Sequence, residues 1–540
     1  MSFQLKPQRV PMSAFFSDVR EARKKIGVIL GGYPAVLTAP TMYGDTPITD
    51  VLNKWEHTLS ELKTSMPGLL AFENDLREKV GPRSYKVPFS ERLDDLALYY
   101  QHYNESLNAQ AISEVAIKRA LARWNGRKLR MADQHTILPQ MKLSTSSGSP
   151  FLAKRRDVVS KTIPARVWQS GYQTHQCLPG FDGYALAIPG WRGQEGGLDL
   201  DDVKQRIIAM FPFGINAAEH QVYKPLIKAA QSAGIRAPWI SQDEVDIRMT
   251  RLFDTKGSED LIICTDFSKF DQHFGKPCQD AGALYLRNLF ATTDQFERWM
   301  EEVYPIKYNI PYLTSFGYAV FGPHGMASGS GGTSPDESNV HDCLQEEAAL
   351  NAGSRLNSNS MALGDDGCLS FPGITVDKVL RSYTVHGLEM NESKQYASTD
   401  SAVFLRRYYH RSYRPDGIAR GVYSTYRAIG KVRYIERWVD EKRLQEVEVT
   451  LPEYYVAREL SILQNVEWHP LRIKFADFCI EGDKEWRLGL NIPGYFDRLE
   501  KIDRNLSAVM PTWKGYNQTE MSCATSINDW WIVKYLKTKL

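Results

Sequence analysis

A mixed α+β fold is predicted for this chain, and three segments carry the expectation. Leu261-Ile262-Ile263-Cys264-Thr265 is a short apolar run ending in Asp266, the pattern of a buried strand. Met361-Ala362-Leu363-Gly364-Asp365-Asp366-Gly367 sets two adjacent acids between glycines with apolar flanks, which predicts a tight hairpin with acids at its tip. Ala327 to Asn339 begins rich in glycine and serine and then reads as a helix start. Its Ser334-Pro335-Asp336-Glu337 has the form of a capping box with proline at the first helical position.

Taken along the chain, Val51 to Leu76 and Ser90 to Leu129 show the apolar rhythm of amphipathic helices. Ala116 to Arg130 carries basic residues at helical spacing around Trp124. Lys118 to Arg166 contains twelve Lys or Arg residues and two acids, Asp133 and Asp157, although the whole chain of 540 residues has a net charge of only +2. Such a stripe suits a phosphate backbone; the alternative is a solvated helix face, in which acids are normally mixed. A glycine-rich loop is read at Gly190 to Gly197. Beyond residue 411 the chain reads as helical and aromatic, with Trp513, Tyr516, Trp530 and Trp531 either core residues or a mobile stacking platform.

Hydrophobic content of 43% is ample for several domain-sized cores. Seven cysteines lack paired spacing, so neither a disulfide framework nor a zinc site is indicated, and Cys264 and Cys368 are expected to be small buried residues. No apolar run has the length of a membrane span and the N-terminus lacks a signal-peptide pattern.

The chemistry rests on the acids. Adjacent carboxylates repel, so Asp365 and Asp366 are costly unless they face water or bind a cation. Paired divalent metals are the functional answer, and an ordinary Asp-Asp-Gly turn is the alternative. Asp271 follows Asp266 by five residues. In a continuing strand the two would point to opposite faces, so Asp266 is assigned to metal and Asp271 to another partner. A strand ended by solvated acids remains the other reading. The glycine loop would let backbone approach a phosphate or base. Glu337 is assigned as a capping partner rather than a ligand.

In this order and spacing the three segments resemble the palm of viral RNA-dependent RNA polymerases: Asp-x4-Asp, then Ser-Gly-x3-Thr with a later Asn, then Gly-Asp-Asp. The wording is most similar to enzymes of the picobirnavirus and partitivirus type, from double-stranded RNA viruses, and the order differs from the permuted birnavirus arrangement. The resemblance extends over roughly residues 140 to 410. Thr145-Ser146-Ser147-Gly148-Ser149-Pro150 resembles the family's template-lining motif, and Lys204-Gln205-Arg206 its triphosphate-holding motif. Asn391-Glu392-Ser393-Lys394 resembles the motif whose lysine is the proposed general acid, and Val403 to Tyr408 the primer grip.

This resemblance implies a right-hand polymerase with an RRM-like antiparallel palm sheet. Residues 1–135 would be an N-terminal extension bridging fingers and thumb, 136–260 and 277–325 fingers, 261–276 and 326–410 palm, and 411–540 thumb and tail. It implies Asp266, Asp365 and Asp366 as ligands of Mg2+, with Mn2+ as an alternative, and Lys394 as catalytic acid. Nucleotide contacts would come from Asp271, Ser328, Gly329, Thr333, Asn339, Lys204 and Arg206. RNA contacts would come from Thr145, Ser146, Gly148, Lys154, Arg155, Arg156, Arg406 and Arg407. One departure stands out: the Asn that follows the Thr by four positions in many relatives is Glu337 here, and Asn339 lies two further on. The implied activity is primer-independent RNA synthesis on an RNA template from NTPs, replicating and transcribing a viral genome. The implied setting is the host cytoplasm inside a viral particle, with a capsid protein as partner and no membrane. A reverse transcriptase, separable by NTP against dNTP use, and a non-catalytic palm-shaped RNA-binding protein of the capsid interior are the alternatives. The intact acid set argues against the latter.

Overall fold

In a computed structural model, residues 4–193, 196–203, 205–436, 439–509 and 525–540 are described. The chain divides into two compact units. One comprises Met1–Gly32, Val87–Trp191 and Ile207–Phe404, the other Tyr33–Lys86, Arg192–Arg206 and Leu405–Leu540. The first 135 residues are thus shared between both.

Seven elements of the first unit frame the acids: α1 (Phe213–Ser232), β1 (Ile262–Thr265), α2 (Phe270–His273), α3 (Thr333–Asn351), β2 (Met361–Leu363), β3 (Asp366–Leu369) and β4 (Tyr396–Ser398). The strands form one antiparallel sheet in the order β2-β3-β1-β4. Every residue of β1 is buried, as its apolar run requires of a central strand. Cys264 and Cys368 face each other across β1 and β3, with sulfurs 3.9 Å apart, and are buried thiols as expected.

Two local expectations give way to tertiary structure. β1 stops at Thr265, Lys269 takes a positive φ of 51°, and Phe270–His273 make a single helical turn. Asp271 therefore sits on a helix, and strand alternation does not govern it. The capping box does not form either. α3 starts at Thr333 with Gly332 as its cap and no side-chain cap bond, which puts Ser334 inside the first turn and Pro335 at the third helical position. The loop ahead is already tied down, because Ser330 Oγ accepts from the Gly332 amide at 2.9 Å. The helix start is fixed upstream of the sequence signal.

The basic stripe is less helical than its spacing suggests. The helix Glu114–Leu121 passes into a 3-10 turn, Ala122–Trp124, and ends at Asn125 in the left-handed region. Trp124 is buried and donates its indole N–H to Tyr285 at 2.7 Å, so it is a core residue. Lys118, Arg127, Lys128 and Arg130 stay exposed. Among the described residues no helix is long and apolar enough to cross a membrane.

In the second unit the helix Thr425–Arg433 begins on a buried carboxylate. Glu73 accepts from the Thr425 amide at 2.8 Å, Thr425 Oγ1 at 2.7 Å and Ser424 Oγ at 2.5 Å, with His469 Nε2 at 3.1 Å. An anion at a helix N-terminus is favoured by the backbone dipoles. Trp531 donates its indole N–H to Leu463 O at 3.0 Å, and Trp530 and Trp531 are both buried. They read as core residues of this unit; Trp513 and Tyr516 lie outside the described residues.

Burial alone pushes the Glu73 carboxyl up, but the bonds from His469, Ser424 and Thr425 outweigh it and hold its pKa below the ordinary value. Its contribution to stability is therefore complete above the ordinary carboxylate range and is lost as pH falls through the depressed value. Glu73→Ala leaves the donors unpaired and is expected to cost about 3 kcal/mol. Urea unfolding at neutral pH checks it, and the gap to the parent should shrink in acid.

Candidate active site

The tip of the β2–β3 hairpin is a two-residue connection, Gly364–Asp365, with Leu363 paired to Asp366. Gly364 has φ +58°, which a glycine at the first turn position adopts without strain. The next strand is in register through Thr265 and Gly367. One step beyond that pair, Asp266 leaves β1 at the end of the sheet where Asp365 and Asp366 sit. Asp266 and Asp365 are exposed and Asp366 is half-buried. The structure brings the three predicted acids to one edge.

Helix α3 holds that edge by its main chain. Ser338 Oγ accepts from the Gly364 amide at 2.9 Å, His341 Nδ1 lies 2.9 Å from Gly364 O, and Gln345 Nε2 donates to Met361 O at 2.8 Å. Spacings of three and four place these side chains on one helix face. Arg236 adds a second brace: it donates to Ala362 O at 2.7 Å, Asn339 Oδ1 at 3.1 Å and Asp342 Oδ2 at 2.7 Å. On the other flank of β1 the Gln395 amide brackets Asp266. It accepts from the Asp266 N–H at 2.9 Å and donates to the Asp266 carbonyl at 2.8 Å, doing for this residue what a neighbouring strand would do.

The glycine-rich loop is held from below by Glu219 of α1. Its carboxylate accepts from Ser330 Oγ at 2.5 Å, the Gly331 amide at 2.8 Å and Asn216 Nδ2 at 3.1 Å. Burial raises the Glu219 pKa, against the pull of Lys307 and these donors. Gly329 is demanded by contact: a Cβ there would stand 1.6 Å from Ala209 O. Ser328 Oγ is buried with no hydrogen-bond partner among the described residues, while Thr333 Oγ1 turns back to Ser330 O at 3.1 Å. Asp271 is buried beside this loop, and its carbonyl accepts from the Met326 amide at 2.8 Å. Lys394 is exposed in a 3-10 turn, Glu392–Lys394, next to Gln395.

Several predicted contact residues are otherwise engaged. Asn339 is 1% exposed and turned to Arg236, whereas Glu337 Oε2 lies 3.5 Å from where a Gly364 Cβ would be. The residue four beyond Thr333, not six, faces the acid-bearing turn. Arg155 is committed to Ser146 O at 3.2 Å and Asn216 Oδ1 at 2.5 Å, and burial lowers its pKa to about 10. Arg407 is buried on Asn465, at 2.9 Å and 3.0 Å, so its guanidinium braces the second unit rather than meeting RNA. Thr145 and Arg156 are exposed and Ser146 and Lys154 half-buried, while Gly148 is buried at φ +61°. Lys204 lies outside the described residues. Arg206 and Arg406 belong to the second unit. There, burial first, and then Arg406, Arg206 and Arg83, lower the Arg192 pKa against the pull of Glu436, so four guanidinium groups gather with one carboxylate.

Sequence reading missed Glu219, Arg236, His341 and Gln395. None stands in a motif; only contact reveals them.

Among the described residues no group of three or more His, Cys, Asp or Glu is close enough to cage a metal. The exposed carboxylates of Asp266 and Asp365 nonetheless fit a hard divalent ion. Such an ion, Mg2+ above all, is held by one or two carboxylates together with water and substrate phosphates, not by a protein cage.

An antiparallel sheet with acids at one end of its strands, backed by a helix and flanked by a glycine loop, fits a right-hand polymerase, a nucleotidyltransferase. A family model described as viral RNA-dependent RNA polymerase matches residues 99–444. A protein of Human picobirnavirus named as a potential RNA-dependent RNA polymerase is 43% identical over 536 residues, 98% of this chain and 96% of that protein. The crystal structure of the RNA-dependent RNA polymerase of a human picobirnavirus is similar with a TM-score of 0.91 at 41% identity, covering 99% of this chain and 100% of that one. Its insertion-loop deletion mutant gives 0.90 at the same identity and coverage. The chain belongs to the viral RNA-dependent RNA polymerases. The family uses divalent metal ions.

A Cβ on Gly367 would stand 2.4 Å from Thr265 Oγ1 and 2.5 Å from the His341 ring. Gly367→Ala is expected to displace β3 from β1, cost about 1–3 kcal/mol and depress turnover. Single-turnover incorporation alongside RNA filter binding checks it, with binding retained.

Proposed function

We propose that the chain copies an RNA template with Asp266 and Asp365 as the metal-holding pair, Asp366 supporting them, and Mg2+ as the resident ion. Held there, two such ions would supply the Lewis acidity that activates the RNA 3′-hydroxyl and the charge that offsets the triphosphate and leaving pyrophosphate. The protein's own part is placement and charge. Asp271 accepts the ribose 2′-hydroxyl, the group that separates RNA from DNA precursors, with Ser328 beside it. Lys394 carries a proton to the pyrophosphate. Lys204 and Arg206 supply positive charge where negative charge accumulates. Thr145, Arg156 and Lys154 guide the template backbone. The observation that carries this reading is the convergence of Asp266, Asp365 and Asp366 at one end of the sheet, with the main chain of Asp266 held by Gln395, Asp366 paired with Leu363, and Gly364 ahead of Asp365 held by Ser338 and His341. Synthesis that starts without a primer, action on a viral genome in the host cytoplasm within a particle, and a capsid protein as partner complete the proposal; they rest on resemblance.

Asp266→Ala and Asp365→Ala are each expected to abolish nucleotide incorporation on a primed template while leaving RNA affinity intact, since the metal pair is lost and the basic surface is not. Excess chelator should stop the parent enzyme and added Mg2+ restore it. Appreciable turnover by either variant would overturn the assignment.

Asp271→Ala is expected to lower the preference for NTP over dNTP by about tenfold or more, the consequence of removing a hydroxyl's partner. Competition between ATP and dATP in the same assay checks it. Full retention of ribose preference would move the role to Glu337, which stands where Asn is usual.

A further inference from the structure

His341 touches the backbone or side chain of the residue that precedes each of two acids. Its Nδ1 is 2.9 Å from the carbonyl of Gly364, directly before Asp365. Its Nε2 is 3.3 Å from Thr265 Oγ1, directly before Asp266. The side chain is fully buried. It stands edge-on to Phe267 at 5.2 Å and to Tyr383 at 5.9 Å between ring centroids, with Phe270 tilted at 6.2 Å. The ring also fills the space that a side chain at residue 367 would need. It cannot swing to another rotamer without emptying this cage, and an imidazole has one fixed separation between its two nitrogens.

We propose that His341 is a positioning residue that gauges the spacing between the strand end carrying Asp266 and the turn carrying Asp365. A carbonyl oxygen can only accept, so Nδ1 must carry the proton toward Gly364. Nε2 then accepts from the Thr265 hydroxyl, whose proton it requires. Burial lowers the His341 pKa to about 4, which keeps the ring in that neutral form. The alternative tautomer would break the bond to Gly364, so the pair of contacts also selects the tautomer. Ser338 fixes Gly364 from the amide side. Of the three α3 side chains bonded to the hairpin, Ser338, His341 and Gln345, it is His341 that also reaches β1, and through it α3 sets one acid against the other. Catalysis by two acids that share metal ions depends on their separation, and an error near 1 Å costs roughly a hundredfold in rate.

The inference rests on Asp266 and Asp365 being the catalytic pair, so Asp365→Asn is run beside every variant. Three substitutions separate the contacts. Thr265→Val keeps the shape and removes the hydroxyl. His341→Asn keeps a donor toward Gly364 but is too short to reach Thr265 as well. His341→Phe keeps a ring and loses both. With the full chain on a primed RNA template, Thr265→Val and His341→Asn are expected to lower kcat about tenfold and His341→Phe about a hundredfold, with NTP KM and RNA Kd within about twofold of the parent. Thr265→Val added to His341→Phe should cost nothing more, because both delete the same bond. Mn2+ affinity without nucleotide, followed by electron paramagnetic resonance, should weaken in His341→Phe. The proposal is overturned if Thr265→Val and His341→Asn both keep kcat within about twofold, or if kcat and RNA affinity fall together in equal measure. Turnover persisting in Asp365→Asn would overturn instead the assignment of the acids.

Discussion

The active edge depends on a helix that carries polar side chains into the core and bonds them to the elements around it. Helix α3 buries Asp336, Glu337, Ser338, Asn339, His341, Asp342, Gln345 and Glu347. A buried polar group that lacks a partner costs about 1–3 kcal/mol, so a helix of this composition is tolerable only where its surroundings answer it. Some answers lie in the acid-bearing hairpin and others in the elements packed around it. Ser338, His341 and Gln345 each bond to hairpin main chain, Asp342 accepts from Arg236, and Asp336 meets Tyr223 at 2.7 Å and Lys307 at 3.2 Å. The helix and the acid-bearing hairpin are therefore held by the same bonds.

The same logic extends to the glycine loop. Glu219 is buried beneath it and takes a hydroxyl and an amide from the loop itself. The loop's glycines are contact surfaces more than hinges at Gly329, where Ala209 O leaves no room for a side chain. Loop and hairpin are thus both tied to the N-terminal half of α3. Glu219 fixes the approach to α3, and the first turns of α3 fix the catalytic turn.

What the sequence made legible was the part written in local pattern. The run to Thr265 reads as a strand from its apolar residues, and the Gly-Asp-Asp hairpin from its turn chemistry; both stand as read. The helix after the glycine loop was legible but its start was not, since Ser330 and Glu219 satisfy the amides ahead of Ser334. Lys269 in the left-handed region turned a presumed strand into the helix of Asp271, and nothing in its residue type announces that. Arg155 and Arg407 look like any basic residue beside RNA-binding motifs. Only the placement of Asn216 and Asn465 shows their guanidiniums to be internal braces. Long-range partners such as Arg236 and Gln395 carry no local signature at all.

Most of the bonds that hold the acid hairpin end on its backbone: on the amide and carbonyl of Gly364 and on the carbonyls of Ala362 and Met361. A backbone looks alike whatever side chain it bears. The hairpin's apolar residues can therefore exchange among similar shapes without being noticed by the helix that grips them, whereas each gripping residue must keep a particular donor or acceptor at a particular reach. The freedom to drift lies with the part that does the chemistry's framing, and the constraint lies with residues that never meet the substrate.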